Sequence, residues 1–529
     1  MHTHIPGYLL IAILAITLFP SCQSRNARPE DIELRLSVLS ENERQTFENL
    51  LDHYLPEGDS LKIKSCYFII NNIAGIGSLA VDKEQQKVVL HKDTKYITTD
   101  YLIEQIDNAV DACRTKIVKG SLSFTDFCNY VLPYRIDYEP LENWRKKIQE
   151  RYTPMLDSLG GYAQLSDTSL CRIFNKQLVK GFVYKGEGNY GDIKNWTALS
   201  SENMGNCAEM CKTVLFPLRS YGVPATVDFT PSWGNVDGGG HEWNVLLQNG
   251  GKNVPFMGLE SDPYQYEPFK LIDDQEHPEK STYRVPGKVY RRQFEINPNS
   301  LVSKNTNQER IPELFNDYRI KDVTAEYFPV ANIDVHFTPA QLNNKQHAAY
   351  LAVFTNGTWK ITAYSLIDDK GNAHFKDMTR NILYMPVLLK NDLYEPVGHP
   401  VYADSTGIVK VLEPQQTTID VAVTQLRSKE AEEVAFIAEN QHLGWGHKMF
   451  TDGLDKIKRD EKRAAPERGQ AYTLYYWKDK WEKVNTLSKQ DGTLVFNDVP
   501  ANGLYRVTAS NGKQRERCFT VANGVQQWW

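Results

Sequence analysis

The sequence predicts an α+β protein, and three observations along its 529 residues support that fold class. Residues 31–192 carry apolar side chains at three- and four-residue intervals, as helices do. Residues 193–296 combine one helix with several short strands around a cysteine and a histidine. Residues 321–529 alternate apolar and polar side chains, as strands do. We therefore expect a mainly helical region, a mixed core and a β-rich remainder, in that order.

Length and composition narrow the class of protein. A chain of 529 residues exceeds what one hydrophobic core usually supports, so two to four domains are expected. Hydrophobic residues make up 41% and charged residues 24%, which is typical of a folded soluble protein. The net charge of −6 shows no basic excess, so nucleic acid is not expected as a partner.

The N-terminus has the pattern of an export signal. The apolar run Tyr8–Phe19 is too short to cross a membrane and has the length of a signal-peptide core. It ends at Pro20-Ser21-Cys22, which resembles a lipoprotein processing site. That resemblance implies a signal peptide over residues 1–22, a lipid on Cys22, and an anchor in the outer membrane or at the cell surface. A cleaved form, periplasmic or secreted, is the alternative.

The helical region is expected to contain several amphipathic helices. Thr98–Asp100 and Asp137 stand where helix caps are predicted. The apolar run Cys66–Ile76 and the strand-like Lys87–His91 depart from a uniform bundle. The predicted helices are Glu41–Tyr54, Tyr101–Val118 and Glu139–Leu159.

The β-rich remainder contains an internal repeat. The polar stretch Asn297–Gln308 is a predicted linker ahead of it. Trp359-Lys360 precedes Phe375 and then Leu383-Tyr384, and Trp481-Glu482 precedes Phe496 and then Leu504-Tyr505. The spacing from the phenylalanine to the Leu-Tyr pair is the same in both copies. Two β-sandwich-like modules are therefore predicted, at 321–430 and 431–529, with the charged segment Asp455–Arg468 looping out.

Cys207 stands where chemistry is most strongly indicated. Gly205 and Asn206 are turn and cap residues, and the segment Ala208–Tyr221 has apolar residues at helical spacing before the C-cap Gly222. Cys207 therefore lies at the first turn of a helix. Free N–H groups at that end are expected to lower the pKa of the thiol and to bind an oxyanion formed on a substrate carbonyl.

A histidine and two carboxylates follow Cys207 in chain order. His241 opens a strand directly after a glycine run, and the strand Val254–Leu259 leads into Glu260 and Asp262. A nucleophile, a base and a carboxylate that orients the base form a general catalytic triad. Either carboxylate could supply the third member.

These segments resemble the transglutaminase-like core, which shares a papain-like arrangement. The matching motifs are Gly205-Asn206-Cys207, Leu218–Ala225 and His241-Glu242-Trp243, in the family's order and within residues 195–265. Glu260 fits the family's spacing for the acid with Glu in place of Asp, and Asp262-Pro263 matches its common Asp-Pro. The chain as a whole resembles surface lipoproteins of Bacteroidetes-type bacteria.

The resemblance also suggests residues beyond the triad. Trp196, upstream of the cysteine, is a candidate for binding the oxyanion or the substrate, and Trp243 belongs to the His-x-Trp motif. Trp233 and Asn235 lie in a loop that we expect to flank the cleft.

No cofactor is expected, and no metal site is predicted, because Cys207 and Cys211 lack a second Cys/His pair at zinc-site spacing. The cysteines outside the site are expected to pack in hydrophobic cores, namely Cys66, Cys113, Cys128, Cys171 and Cys211. For Cys211, four residues after Cys207 on the same helix, a redox role is the alternative.

The resemblance implies a cysteine enzyme that acts on amide bonds of a peptide, a protein or a glycan-linked amide. Hydrolysis, as a peptidase or amidase, is favoured over crosslinking because no separate amine-substrate module is visible. One alternative is a non-catalytic binding or scaffold protein for polysaccharide or protein. A second alternative is a papain-like or cell-wall peptidase, which shares the Cys-then-His order.

Overall fold

The structure is a computed structural model of the whole chain. It describes the following residues: 28–82, 87–185, 193–270, 283–305, 309–342, 346–424, 426, 466, 468–488, 493–510 and 516–529. Helices dominate the first part of the chain and strands the last, with a mixed sheet between them. The predicted α+β class agrees with this mixed content.

The N-terminal region is built from eight helices and one hairpin within the described residues. The helices are α1 Glu30–Ser37, α2 Glu41–Tyr54, α3 Ser60–Asn72, α4 Asp93–Tyr96, α5 Thr99–Val118, α6 Phe124–Tyr130, α7 Trp144–Ser158 and α8 Asp167–Leu178. The hairpin strands are β1 Gly77–Asp82 and β2 Lys87–Lys92, paired antiparallel.

Most predicted elements of this region form as expected. Helix α2 has the predicted bounds, α5 starts two residues early behind its N-cap Thr98, and β2 contains the strand-like residues. The third helix differs, because α7 begins at Trp144. Residue Glu139 precedes Pro140, and a residue before proline is disfavoured in the helical region. Asp137 is therefore not a cap; its carboxylate pairs with Lys212 instead.

The apolar run Cys66–Ile76 is part of a helix over most of its length. It continues α3 to Asn72, and Cys66, Ile69 and Ile70 are buried. Together with α1, α2 and α5 it forms a hydrophobic core of its own.

The central region packs helices on an antiparallel sheet. Its helices are α9 Trp196–Glu202 and α10 Cys207–Ser220. A short parallel pair joins β3 Val183–Tyr184 to β4 Met204–Gly205. The five-stranded sheet has the order β7-β6-β5-β8-β9, formed by β5 Ala225–Thr230, β6 His241–Leu246, β7 Val254–Phe256, β8 Tyr290–Arg292 and β9 Ile320–Asp322.

Helix α10 is the centre of this region. Its apolar face shares one hydrophobic core with α7, α8 and strands β5 to β7. The predicted strand Val254–Leu259 ends early, at Phe256, and Leu259 adopts a left-handed φ of 64° in the turn that follows. That turn directs Glu260 and Asp262 to different surroundings.

The last part of the chain consists of strands after two short helices. The helices are α11 Leu301–Lys304 and α12 Thr324–Tyr327. The strands are β10 Val330–His336, β11 Ala348–Thr355, β12 Thr358–Leu366, β13 Asn372–Thr379, β14 Leu383–Lys390, β15 Leu393–Pro396, β16 Val401–Ala403, β17 Val409–Val411, β18 Thr418–Val423, β19 Ala471–Trp477, β20 Trp481–Ser488, β21 Leu494–Pro500, β22 Tyr505–Ala509, β23 Phe519–Ala522 and β24 Val525–Trp528.

The internal repeat has a counterpart in the strand pairing. In the first copy β10 pairs with β13 while β11 lies between β12 and β14; in the second, β18 pairs with β21 while β19 lies between β20 and β22. Each copy buries side chains of both sheets in one core. The repeated tyrosines, Tyr384 and Tyr505, each donate a hydrogen bond to the carbonyl five residues earlier, at 3.0 and 2.6 Å. Such a bond is a recurring feature of β-sandwiches.

The predicted linker Asn297–Gln308 is packed against the protein where it is described. Ser300 caps α11, and Leu301 is buried in the core that joins β8 to strands β11 and β14. The predicted linker is thus anchored to the folded protein by a buried apolar side chain.

Several predictions concern residues outside the described part. The signal segment 1–22 with Cys22 lies there, as does almost all of Asp455–Arg468. Among the described helices, none combines the length and the apolar character needed to span a membrane. The cysteines from Cys66 to Cys518 that the structure describes are free thiols, and all of them except Cys207 are buried.

Candidate active site

The start of helix α10 holds Cys207 through reciprocal capping. The Asn206 side-chain oxygen accepts from the Ala208 N–H at 2.8 Å, and the Glu209 carboxylate accepts from the Asn206 N–H at 2.9 Å. Gly205 is needed just before this turn, because a Cβ there would lie 2.4 Å from that of Glu209. This capping box fixes Cys207 as the first residue of the helix.

The thiol of Cys207 faces the strand that carries His241. The main-chain N–H groups of Glu242 and Ala208 both point at the sulfur and favour its thiolate. Burial acts against them and dominates, so the pKa of Cys207 is raised above its usual value. The lowered pKa expected from the helix start is therefore not found, because the sulfur is withdrawn from water.

His241 is the first residue of β6, opposite Thr230 of β5. The Nε2 atom of its ring lies 2.7 Å from the hydroxyl oxygen of Tyr266. Burial, helped by the nearby positive charge of Arg284, lowers the pKa of His241 to about 3. The imidazole is therefore neutral at physiological pH, and burial makes it a weaker base than a solvent-exposed histidine.

Two residues of the site have no sequence motif that would predict them. Tyr266 lies in the turn-rich stretch after β7, and Arg284 precedes β8. The Arg284 guanidinium lies over the Trp233 ring, 4.6 Å from its centroid. Its pKa is lowered by burial, while the negative charges that Tyr266, Cys207 and Glu260 can carry raise it. Arg284 is therefore a buried positive charge that interacts electrostatically with the thiol.

The two candidate acids face different partners. Asp262 accepts a hydrogen bond from the Asn175 side chain of α8 at 3.1 Å. Glu260 is exposed, and its charge acts on Tyr266 and Arg284. Of the two, Glu260 has the electrostatic connection to the cleft, through the tyrosine that holds His241.

Three of the four predicted substrate contacts are buried tryptophans, and the fourth, Asn235, is partly buried. Trp196 and Trp243 are 3% and 0% exposed and pack in the core of α10, so they offer almost no surface to a ligand. Asn235 bridges the chain to the segment before β8, donating to the Tyr283 carbonyl and accepting from the Val285 N–H. Trp233 is buried too, but its ring lies 6.3 Å from that of His241.

A partly buried ion network adjoins the site through Glu242, the residue after His241. Arg292, at the end of β8, bonds Glu242 at 2.7 Å and Asp137 at 3.3 Å. Asp137 in turn pairs with Lys212 of α10 at 2.5 Å. The residue after His241 is thus linked by charge to the helix that carries Cys207.

The arrangement suits nucleophilic attack by a thiol assisted by a neutral base. Cys207 and the strand of His241 are brought together, and a hydroxyl occupies one imidazole nitrogen. Among the described residues, no group of three or more His, Cys, Asp or Glu side chains could hold a metal ion.

Comparison with known proteins adds little to this geometry. No protein-family model matches the chain, and no curated protein matches it. Among solved structures, the crystal structure of red sea bream transglutaminase is similar at 8% sequence identity, covering 86% of this chain and 78% of that one, with a TM-score of 0.19. A similarity at that TM-score supports no argument about fold or reaction, so the residues themselves carry the functional argument.

Proposed function

We propose that this chain is a thiol enzyme that cleaves amide bonds, with Cys207 as nucleophile and His241 as base. One observation carries the proposal. Cys207 begins a capped, buried helix, and its sulfur faces the N–H of Glu242, the residue next to His241. A reactive residue and a base on adjoining elements at a cleft are the requirement for covalent catalysis.

The reaction starts from a neutral Cys207 thiol and a neutral His241 imidazole. His241 takes the thiol proton as the sulfur attacks the acyl carbon, so general-base assistance replaces a preformed thiolate. In this scheme Nε2–H donates to the Tyr266 hydroxyl oxygen, which leaves the lone pair of Nδ1 to accept the thiol proton. Tyr266 is a positioning residue in this scheme, since it orients the ring without touching the substrate.

The covalent step then proceeds in two halves. The sulfur–carbon bond forms, the carbon–nitrogen bond breaks, and the imidazolium gives its proton to the leaving amine. Water next attacks the thioester carbon as His241 removes its proton, the carbon–sulfur bond breaks, and the thiol is reprotonated. The positive charge of Arg284 lies near enough to stabilise negative charge on the sulfur.

We propose water rather than an amine as the acyl acceptor. The predicted organisation consists of a helical region, the core and two β-modules, with no region that resembles an amine-substrate module. The substrate proposed is a peptide, a protein or a glycan-linked amide. The third member of the site is proposed to be Glu260 acting through Tyr266, with Asp262 as the alternative.

The test is labelling of the full chain with a peptide-like electrophile. Its reactive carbonyl takes the place of the substrate carbonyl that Cys207 would attack. Wild-type protein should take up one label per chain, and Cys207→Ala should take up none. Cys211→Ala, one helical turn later and buried, is the matched control and should label as wild type. Equal labelling of wild type and Cys207→Ala would contradict the proposal.

A second candidate function is a non-catalytic binding or scaffold role for polysaccharide or protein. The observation that favours it is the resting chemistry of the pair, a protonated thiol and an imidazole bonded to Tyr266. In that case the electrophile leaves Cys207 unlabelled although ordinary alkylation under denaturing conditions modifies it.

We also propose that the chain is exported and anchored by a lipid on Cys22. The support is the sequence pattern of residues 1–22 alone. Mass spectrometry of the mature N-terminus should find a lipid-modified cysteine in wild type and none in Cys22→Ala. A mature chain that starts elsewhere, without a lipid, would indicate a secreted form.

A further inference from the structure

A second polar cavity lies at the opposite end of helix α10. It has a volume of about 50 Å³ and lies where the helical region, the end of α10 and the strands β8 and β9 meet. Four arginines line it, namely Arg135, Arg219, Arg292 and Arg319. A single water needs roughly 10–15 Å³ of such space, so the cavity has room for a small polyatomic group.

Two of these arginines are buried without a direct salt bridge among the described residues, although the charge of Glu139 acts on Arg219 and that of Asp317 on Arg319. Arg219 and Arg319 are 4% and 6% exposed. Arg219 donates to the carbonyls of Arg135 and Ala225, and Arg319 donates to main-chain carbonyls, including that of Phe294. Among the described residues, neither guanidinium forms a salt bridge. Buried cations are normally paired with an opposite charge.

Three N–H donors of the arginines that line the cavity are buried and lack an acceptor among the described residues. They are Nε of Arg219, Nε of Arg292 and Nη1 of Arg319. Their neighbours are otherwise well bonded, since Arg135 is paired on both sides with Asp93 at 2.8 and 2.6 Å. Three arginines from different chain segments, each with one unpartnered buried donor, therefore line one cavity.

The acidic groups nearby do not meet these donors. Asp137 is held by Lys212 and by another nitrogen of Arg292. Asp317 accepts from the main-chain N–H of Arg319, and Glu139 from those of Ile136 and Asp137. Asp137 and Asp317 themselves line the cavity, so its lining holds four guanidinium groups and two carboxylates.

We propose that this cavity binds a small oxyanion, inorganic phosphate or the carboxylate of a small acid. An oxyanion has several acceptor oxygens, which suits a cavity lined by separate guanidinium groups. It would join the helical region to the central sheet, because Arg135, Arg219 and Arg319 come from those different parts of the chain. The inference rests on the buried arginines alone and is independent of the chemistry of Cys207.

The test is isothermal titration of the full chain with sodium phosphate and, separately, with sodium acetate, against chloride at equal ionic strength. One saturable site for either anion supports the proposal, and the tighter anion identifies the class. Arg319→Gln and Arg219→Gln should each weaken binding by roughly ten- to a hundredfold, the range expected for a charged hydrogen bond. Arg114→Gln, a matched control on α5 paired with Asp59, should bind as wild type.

Thermal unfolding distinguishes specific anion binding from general effects of salt on stability. Phosphate strengthens apolar burial in any protein, so the decisive quantity is the shift in Tm of wild type beyond that of the variants. A specific site gives a larger shift in wild type and in Cys207→Ala than in Arg319→Gln. Equal shifts in all of them, or no saturable heat with either anion, would overturn the proposal and leave water as the occupant. If the arginine variants do not fold, titration of wild type alone decides.

Discussion

The two ends of helix α10 carry polar sites that respond to burial in opposite ways. At the N-terminal end, burial raises the pKa of Cys207 and lowers that of His241, so both groups become neutral. At the C-terminal end, burial lowers the pKa of Arg219 only to about 10, so the guanidinium keeps its charge at neutral pH. Groups that can give up their charge form a reactive pair, whereas groups that cannot do so require a counter-ion.

The ion network between the two ends makes the comparison testable. Arg292 lines the arginine cavity and also bonds Glu242 beside His241. Variants at the two ends of α10 should therefore show whether the reaction rate and the free energy of unfolding can be changed independently.

His241→Gln should abolish most amide cleavage while the fold survives. Loss of a general base typically costs about 10²–10⁴ in rate, and glutamine fills a similar space. The measurement is kcat/KM on a peptide amide, with Tm from calorimetry as the check on folding. His53→Gln, on helix α2, serves as control and should keep full activity. A rate within threefold of wild type would remove His241 from the mechanism.

Arg292→Gln should reduce stability at both ends of the helix. It leaves Glu242 without its ion-pair partner, while Asp137 keeps Lys212. An unpaired buried charge costs about 3–5 kcal/mol when fully enclosed. Because the Arg292 side chain is 30% exposed, we expect about 2 kcal/mol in the free energy of unfolding, measured by urea titration. A double variant with Glu242→Gln should lose less than the two single losses added together.

Acid should destabilise the N-terminal end specifically. The folded-state pKa of His241 lies near 3, below the ordinary value of about 6.5. Its contribution to stability is therefore complete above pH 6.5 and is lost as the pH falls toward 3. Arg219 stays charged in both states over that range and adds no slope. The fall in Tm between pH 6.5 and 4 should be smaller in His241→Gln than in wild type.

Tyr266→Phe should lower the rate without changing substrate binding. Removing one hydrogen bond to the imidazole costs about 0.5–1.5 kcal/mol, or up to roughly tenfold in kcat, with KM unchanged. Tyr264→Phe, two residues earlier and exposed, is the control. An unchanged kcat would mean that Tyr266 does not position the ring.

Alkylation of Cys207 should show the smallest and most local effect. Since its pKa is raised above the usual 9, the rate of reaction with iodoacetamide should still be rising at pH 9. Arg284→Gln removes a nearby positive charge and should slow alkylation a further few-fold at any given pH. A thiol that already reacts fully at pH 7 would show that burial does not dominate.

Much of the local structure could be predicted from the sequence. Asn206 and Glu209 cap α10, Gly222 ends it, and the position of Cys207 at its first residue follows from these neighbours. His241 opens a strand because a glycine run precedes alternating residues. The repeated Phe and Leu-Tyr spacing also anticipated two sets of strands with the same pairing order. All of these depend on contacts within a few residues or on one period.

Tertiary structure decided the rest. Tyr266 and Arg284 reach the site from segments with no motif, and Asp137, predicted as a cap, pairs with Lys212 because Pro140 delays the helix. The arginine cavity draws on parts of the chain far apart in sequence, so no spacing could predict it. The pKa directions likewise follow from burial, which is set by how α10 packs on the sheet. The sequence by itself determined which residues could react, and only packing decided which of them keep their charge.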